Sequence, residues 1–126
     1  LGHKEKEIKT QSAKAKGRKL QQWFRDKLID TFHFSKDDVR STSMGAGGED
    51  ILFSQSAGDT LGISVECKSR NSLAVYAFYS QAEDNCPEDR QSVVVVKQNH
   101  SKPLVVIDAE YFIQLLKEQH ETLSNP

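Results

Sequence analysis

The sequence predicts an α/β domain whose elements follow the order αβββαββα. An apolar stripe with helical spacing runs through residues 12 to 32 and predicts a long first helix. Short runs at residues 49 to 53 and 63 to 68 alternate between apolar and polar side chains, as half-buried strands do. Two continuous apolar runs, 93 to 96 and 104 to 107, predict strands that are buried on both faces of a sheet.

The first helix is predicted to pack on the sheet through one face. Apolar side chains with i, i+4 and i+8 spacing form this face, and they are Leu20, Phe24, Leu28 and either Trp23 or Phe32. The lysines between them then face solvent or a nucleic acid. A short strand is predicted at residues 38 to 43. The glycine-rich segment 44 to 48 is predicted to be a loop, which either lets the backbone approach a phosphate or serves as a plain turn.

The second half of the chain supplies two more helices around the last two strands. A helix is predicted at residues 72 to 85 and ends before Pro87. The aromatic residues expected to make core or dimer contacts from this helix are Tyr76, Phe78 and Tyr79. Asp108 is predicted to cap a last helix that ends near Gln119. The side chains of this helix that are predicted to face the core are Phe112, Leu115 and Leu116.

Three charged side chains are predicted to converge where two strands adjoin. Side chains alternate along a strand, so Glu66 and Lys68 point to one face while Cys67 points to the other, into an apolar layer. The same alternation places Asp50, at the start of the preceding strand, on the face of Glu66. If residues 56 to 60 form an odd-length hairpin loop, Asp50 lies directly opposite Glu66, with the two Cβ atoms roughly 5 Å apart.

Two carboxylates beside a lysine suit the cleavage of phosphodiester bonds. Mg²⁺ prefers oxygen ligands and keeps several waters, one of which can attack phosphorus once the metal lowers its pKa. Asp50 and Glu66 supply the oxygens, and Lys68 is expected to orient or deprotonate the water or to stabilise charge in the transition state. The alternative is a solvated strand face that carries an ordinary surface ion pair.

Four short motifs follow one another along the chain, and two of them contain these three residues. The motifs are Lys14-Ala15-Lys16-Gly17-Arg18, Val39-Arg40-Ser41-Thr42-Ser43, Glu49-Asp50-Ile51 and Val65-Glu66-Cys67-Lys68. In this order the chain resembles the PD-(D/E)XK nuclease superfamily over residues 14 to 116, and it is most similar to the archaeal-type Holliday junction resolvases and their phage relatives. The resemblance implies a restriction-endonuclease-like core, in which helices flank a mixed central β-sheet.

The resemblance implies a role for each side chain of the expected metal site. Asp50 and Glu66 become metal ligands, the backbone carbonyl of Cys67 becomes a third ligand, and Lys68 becomes the catalytic lysine. Mg²⁺ is the implied cofactor, and Mn²⁺ is expected to substitute for it. Gln21 stands where the family has a glutamate on the first helix. Because a neutral amide binds a cation more weakly than a carboxylate does, the number of metal ions, one or two, stays open.

The resemblance also implies a DNA-binding surface. Ser41 and Ser43 match a serine-bearing loop near the scissile phosphate, and Arg40 is expected to contact the DNA backbone. Gln81 resembles a glutamine that related nucleases place near the active site, and an ordinary exposed helix residue is the alternative. The side chains expected to contact DNA are Lys14, Lys16, Arg18, Arg40, Arg70 and Gln81.

The charge distribution fits a single domain that binds a nucleic acid. Net charge is −1, yet residues 1 to 27 hold nine Lys/Arg and three Asp/Glu, whereas residues 28 to 126 hold eight and fifteen. A basic segment on an acidic body is typical of an electrostatic footprint for DNA, and the alternative is a solubilising lysine tail. One nuclease domain is predicted at residues 13 to 121, between a flexible basic arm at 1 to 12 and a C-terminal tail at 122 to 126.

The expected compartment follows from two further patterns. No apolar run approaches the ~18 residues of a membrane span. No apolar signal-peptide core follows the lysine-rich N-terminus. A cytoplasmic protein without membrane contact is therefore expected, in the host cytoplasm if a phage encodes it. The two cysteines, Cys67 and Cys86, are expected to be free thiols.

The sequence therefore predicts a Mg²⁺-dependent endonuclease that cuts four-way DNA junctions. A homodimer is expected, because two symmetric cuts need two active sites related by a two-fold axis. One alternative is another nuclease of the same fold, such as a flap, nicking or restriction-type enzyme. The other is a non-catalytic DNA-binding module in which Gln21 marks the loss of the site.

Overall fold

The computed structural model describes the backbone of residues 2–42 and 47–124 and the side chains of residues 12–42 and 47–123. The elements within these ranges are α1 (Gly2–Phe32), β1 (Val39–Ser41), β2 (Ile51–Phe53), α2 (Gln55–Leu61), β3 (Ile63–Ser69), α3 (Val75–Asp84), β4 (Gln91–Lys97), β5 (Leu104–Val106) and α4 (Ala109–Ser124). The predicted α/β class is confirmed. The observed order is αββαβαββα, because the chain forms one helix, α2, that the sequence did not predict.

The strands form two small sheets that adjoin at Asp50. β1 and β2 pair in an antiparallel manner, and β3 pairs with β4 in parallel. β5 pairs with β4 in an antiparallel manner, so the three-stranded sheet is mixed. The backbone N–H of Asp50 donates to the carbonyl of Val65 at 3.0 Å, which joins the start of β2 to the free edge of β3. The helix α3 makes the crossover between the parallel strands β3 and β4.

The core face of α1 agrees with the predicted stripe in its central residues. Leu20 is buried, and Phe24 and Leu28 pack against the same core cluster. Trp23 and Phe32, offered as alternative members of the stripe, are 43% and 47% exposed and lie outside the core. α1 begins at Gly2 instead of residue 12, so the segment predicted as an arm lies largely within this helix.

The hairpin predicted between Asp50 and Glu66 is wrong. The expected loop, residues 56 to 60, lies within α2. Ser54 caps this helix, because its Oγ accepts a hydrogen bond from the Ala57 N–H at 3.2 Å. Gly62, with φ of 65°, ends it in the left-handed conformation that glycine adopts most readily. β2 and β3 are therefore connected by a helix and not by a turn.

β4 is buried on both faces, as predicted from its valines. Val93 and Val95 join the cluster beneath α1, which also contains Val65 and Cys67 of β3. Val94 and Val96 face α3, and the partly buried side chains that pack against them include Phe78 and Tyr79 of α3 and Leu73, which precedes this helix. Two aromatic residues of α3 thus pack on the core as expected. Tyr76, the third, is 91% exposed.

The predicted burial of β5 and α4 is wrong. Leu104 and Val105 are 55% and 50% exposed, because β5 is the edge strand of its sheet in the described residues. Asp108 does cap α4, since its Oδ1 accepts a hydrogen bond from the Tyr111 N–H at 3.0 Å. The α4 side chains predicted to face the core are 40% to 50% exposed, and they are Phe112, Leu115 and Leu116.

The apolar face of α4 fails to become buried because none of the other described elements packs extensively against this helix. α4 extends to Ser124 and includes part of the segment predicted as a tail. None of the described helices has both the length and the apolar character that crossing a bilayer requires. Cys67 and Cys86 are free thiols.

Candidate active site

Asp50, Glu66 and Lys68 come together at the free edge of β3. Glu66 and Lys68 lie on the same face of the strand, two residues apart, and their Oε1 and Nζ atoms are 3.3 Å apart. Their side chains are 6% and 13% exposed. The Asp50 carboxylate reaches the same edge, because its Oδ2 accepts a hydrogen bond of 2.7 Å from the Cys67 N–H. The three charges therefore share one partly buried pocket.

The backbone of Asp50 is fixed from both sides. Its N–H donates to the Val65 carbonyl of β3 at 3.0 Å, and its carbonyl accepts from the N–H of Thr42, at the end of β1, at 2.9 Å. The Thr42 hydroxyl, 3.3 Å from the same carbonyl, adds a second donor. Asp50 thus meets the edge of β3 through direct strand contacts, although the hairpin register expected for it does not exist.

α3 positions the lysine. The Lys68 Nζ atom lies 5.5 Å from the centroid of the Phe78 ring, on the side of the sheet that α3 covers. A cation near an aromatic face is attracted by the ring quadrupole. The ammonium group of Lys68 is therefore held between an aromatic ring and the carboxylate of Glu66.

The pocket contains two carboxyl groups, those of Asp50 and Glu66, and one amino group, that of Lys68. Burial raises the pKa of the Asp50 carboxyl, and the Cys67 N–H and the charge of Lys68 oppose this shift. Burial also raises the pKa of the Glu66 carboxyl; the negative charge of Asp50 adds to this shift, and Lys68 opposes it. With both carboxyls ionised, the three groups carry a net charge of −1. The pocket therefore favours the uptake of positive charge, either a proton or a metal cation.

The donor atoms at this edge are oxygens, the atom type that Mg²⁺ prefers. Mg²⁺ is commonly held by one or two carboxylates, and waters and substrate phosphates complete its octahedron. Asp50 and Glu66 supply the carboxylates. The N–H and C=O of one strand residue project toward the same edge, so the Cys67 carbonyl projects toward Asp50 as its N–H does. In the described part of the chain, no three His, Cys, Asp or Glu side chains form a cluster able to hold a metal.

The thiol of Cys67 has no part in this donor set. Its side chain lies on the opposite face of β3, within the core cluster beneath α1. Burial raises the pKa of this thiol far above its usual value, and the charges of Asp50 and Glu66 raise it further. The thiol is therefore protonated at neutral pH, and only the backbone of Cys67 faces the pocket.

Of the remaining residues expected at the site, one lies on β1, one lies on α1 and one is outside the described residues. Ser41 is half-buried on β1, and its Oγ accepts a hydrogen bond of 3.4 Å from Arg25 Nη1. Ser43 lies outside the described residues. Gln21 is 2% exposed on α1, the helix that packs against β1 and β3. Its expected role at the metal site stays a prediction.

The side chains expected to contact DNA are all exposed, and they are Lys14, Lys16, Arg18, Arg40, Arg70 and Gln81. Arg40 and Ser41 line a cavity of about 700 Å³ between α1 and β1. Arg25 and Lys36 line the same cavity, and so do the acidic residues Asp26 and Asp30. Lys16 instead donates a hydrogen bond of 3.0 Å to the side chain of Asn99, in the turn that follows β4.

Three residues of this site were not identified from the sequence. Thr42 holds the backbone of Asp50, Arg25 contacts Ser41, and Phe78 lies against Lys68. The antiparallel pairing of β1 with β2 places Thr42 beside Asp50, and that pairing could have been proposed from the two short strands predicted in this part of the chain. The contacts of Arg25 and Phe78 depend on how α1 and α3 rest on the sheet, which no local pattern indicates.

None of the protein-family models, curated proteins or solved structures compared with this chain matches it.

Proposed function

We propose that the chain is a Mg²⁺-dependent DNA endonuclease with a restriction-endonuclease-like core, and that it acts on four-way junctions. The observation that carries this proposal is the grouping of Asp50, Glu66 and Lys68 in one partly buried pocket. Two carboxylates with raised pKa values, a strand-edge carbonyl and a lysine fit a hard cation beside a phosphate. An ordinary surface ion pair, the competing explanation, would not bury Glu66 to 5% exposure.

Each group has a distinct role in the proposed reaction. Asp50, Glu66 and the Cys67 carbonyl hold the ion, which when bound lowers the pKa of water and neutralises phosphate charge. Lys68 donates hydrogen bonds from its ammonium group, which lies 3.3 Å from Glu66 and so points at the same space. It orients the attacking water and stabilises the negative charge that develops on the phosphate oxygens. Phe78 restricts the positions open to this ammonium group.

The DNA backbone is proposed to cross the cavity between α1 and β1. Arg40 and Arg25 flank Ser41 there and are able to neutralise phosphates on the strand that enters the pocket. The cavity also contains Asp26 and Asp30, which limits the net positive charge to that of one side chain. Phosphate contacts of this kind position a duplex without reading its bases. Junction choice would then depend on the shape and spacing of the phosphates.

A second copy of the chain is proposed to cover α4 and β5. Seven large apolar side chains of these two elements are 40% to 74% exposed, and they are Leu104, Val105, Phe112, Ile113, Leu115, Leu116 and Leu123. Together they expose roughly 600 Å² of apolar surface, from side chains of about 150 to 200 Å² each. That area approaches the ~800 Å² that each partner buries in a standard interface. A two-fold axis would pair one α4 with its copy.

The oligomeric state is measured by sedimentation velocity. The parent protein is expected to sediment as a dimer, and Ile113→Glu, which places a charge in the apolar face, as a monomer. Gln114→Glu is the matched control, because it adds the same charge on the opposite side of α4. A parent protein that sediments as a monomer at about 50 μM would refute the paired-helix proposal.

The activity is measured on a synthetic four-way junction with Mg²⁺, with Mn²⁺ and with EDTA, beside flap and linear duplex substrates. The expected result is metal-dependent cleavage with a preference for the junction. Asp50→Asn and Lys68→Ala are each expected to lower the rate by about 10²-fold or more. Lys102→Ala, an exposed lysine of the turn after β4, is the control and should cleave like the parent.

The outcomes separate the candidate functions. Cleavage of flap or duplex DNA in preference to the junction would keep the nuclease assignment and change its substrate. Equal residual cleavage by the parent and by Lys68→Ala would refute catalysis at this site. Junction binding that persists without cleavage under any metal would instead identify a DNA-binding module.

A further inference from the structure

A second cavity lies on the other face of the sheet from the proposed active site. It occupies about 540 Å³ between α1, the ends of β3 and β4, and the turn that follows β4. Ser69 lines it, whereas its neighbour Lys68 points toward Phe78 under α3. Because consecutive strand residues face opposite sides of a sheet, the two sites share the end of β3 but no side chain.

The lining of this cavity combines an apolar floor with a cationic rim. Leu20, Trp23 and Pro103 provide apolar surface. The cationic rim consists of Lys16, Lys19 and Lys97. None of the described lining residues is acidic. Three like charges around one cavity repel one another, and an anion placed among them relieves that repulsion.

Two lining residues of the cavity, one on α1 and one in the turn after β4, contact each other directly. Lys16 Nζ donates a hydrogen bond of 3.0 Å to Asn99 Oδ1, which connects the helix to the residues that follow β4. Trp23 is 43% exposed, so part of its indole ring is available to a ligand. A volume of about 540 Å³ lies within the range of small-molecule sites, roughly 300 to 1,000 Å³.

We propose that this cavity binds a nucleotide, with its base against Trp23 and its phosphate between Lys19 and Lys97. An aromatic side chain gives a planar base a stacking partner whatever its sequence. Lysine ammonium groups supply the charge that a phosphate requires. The nucleotide is either a free nucleoside phosphate or an unpaired nucleotide of a DNA strand. The proposal needs neither the carboxylates nor a metal, so it does not depend on the nuclease function.

Trp23 gives the proposal a direct readout, because it is the single tryptophan of the chain. Its fluorescence is followed in EDTA while adenosine monophosphate or an oligothymidylate is added, in separate titrations. Saturable quenching by at least one of them is expected. Adenosine and ribose 5-phosphate each carry half of the ligand, and each is expected to bind about tenfold more weakly than the mononucleotide, since stacking and charged hydrogen bonds contribute separately.

Substitutions then test the place of binding. Lys19→Gln and Lys97→Gln are each expected to weaken the quenching titration about tenfold, because each removes a charged donor from the rim. Lys102→Gln is the matched control: it removes a lysine from the same turn outside the cavity, and it should bind like the parent. Trp23→Phe keeps a stacking ring, and calorimetry on this variant should give an affinity within about threefold of the parent.

The two sources of the nucleotide are separated by the same titrations. Tight binding of the oligonucleotide with weak binding of the mononucleotide supports an unpaired DNA nucleotide, and comparable binding of both supports a free nucleotide. Absence of saturable quenching by both, or equal affinities of the parent, Lys19→Gln and Lys97→Gln, would overturn the proposal. Lys68→Ala should bind as the parent does while losing cleavage, so failure here and failure of the nuclease proposal are distinguishable.

Discussion

Asp50→Asn should stabilise the metal-free protein at neutral pH and abolish its response to Mg²⁺. The asparagine keeps an oxygen that can accept the hydrogen bond from the Cys67 N–H, so the local geometry survives. What it removes is one of two negative charges in a partly buried pocket. Glu66 and Lys68 are then left as a one-to-one pair with a separation of 3.3 Å.

The size of the effect follows from the charges in the pocket. Two like charges about 4 Å apart repel each other by roughly 4 kcal/mol at an effective dielectric constant of about 20. The attraction of Asp50 to Lys68, which the substitution also removes, cancels much of this gain. A net stabilisation of about 1 kcal/mol is expected, which corresponds to a rise in Tm of about 3 to 5 °C for a chain of this length.

The pH dependence of the effect has a definite sign. Because the folded-state pKa values of Asp50 and Glu66 are raised, the folded protein binds more protons than the unfolded chain above the ordinary carboxyl pKa near 4. The contribution of these groups to stability is therefore present below that pH and is lost as the pH rises through the raised values. The difference in unfolding free energy between Asp50→Asn and the parent should therefore increase as the pH rises over this interval.

The assay is urea unfolding followed by circular dichroism at pH 5, 6, 7 and 8, with EDTA or with Mg²⁺. Mg²⁺ should stabilise the parent by about 2.7 kcal/mol at one hundred times its Kd, and it should leave Asp50→Asn nearly unchanged. Asp37→Asn, which neutralises an exposed carboxylate, is the control for net charge. An Asp50→Asn protein less stable than the parent at pH 8 in EDTA, or one stabilised equally by Mg²⁺, would refute the reasoning.

Two further predictions concern the supports of the fold and the site. Phe78→Leu keeps apolar bulk but removes the ring beside Lys68, so single-turnover junction cleavage should slow about fivefold. The free energy of unfolding in urea should change by about 1 kcal/mol or less. Tyr76→Leu, at a position that is 91% exposed, is the control and should change neither quantity. Ser54→Ala removes the acceptor for the Ala57 N–H at the start of α2 and should lower the free energy of unfolding by about 1 kcal/mol, whereas an unchanged value would show that this cap is dispensable.

Local sequence patterns were sufficient to predict on which face of the sheet the side chains of β3 lie, and that both faces of β4 are buried. The alternation of side chains in β3 separates Cys67 from Glu66 and Lys68, and the structure has the same separation. The continuous valines of β4 indicate burial on both faces, and both faces are buried. In each case the period of the strand decides the orientation of a side chain, so no knowledge of distant residues is needed.

Elements that depend on distant contacts were predicted poorly. Residues 56 to 60 contain Ser, Gly and Asp, which are common in turns. The structure has a helix there instead, because Ser54 caps it and Ala57 is buried. The amphipathic pattern of α4 correctly indicates a helix with an apolar face. It does not specify which surface covers that face, and Phe112 is half exposed as a result.

One face of β3 lies against the apolar cluster beneath α1, and its other face carries Glu66 and Lys68 under α3. This arrangement restricts how the gene for this protein can change in length. Inserting or deleting one codon within β3 would transpose every side chain beyond that point, sending Lys68 into the apolar layer and Ser69 toward α3. Exchanges of one side chain for another of similar volume leave this arrangement intact. Extra residues in the exposed turn at 98 to 102 would preserve this alternation, and their main cost would be the loss of the contact between Lys16 and Asn99.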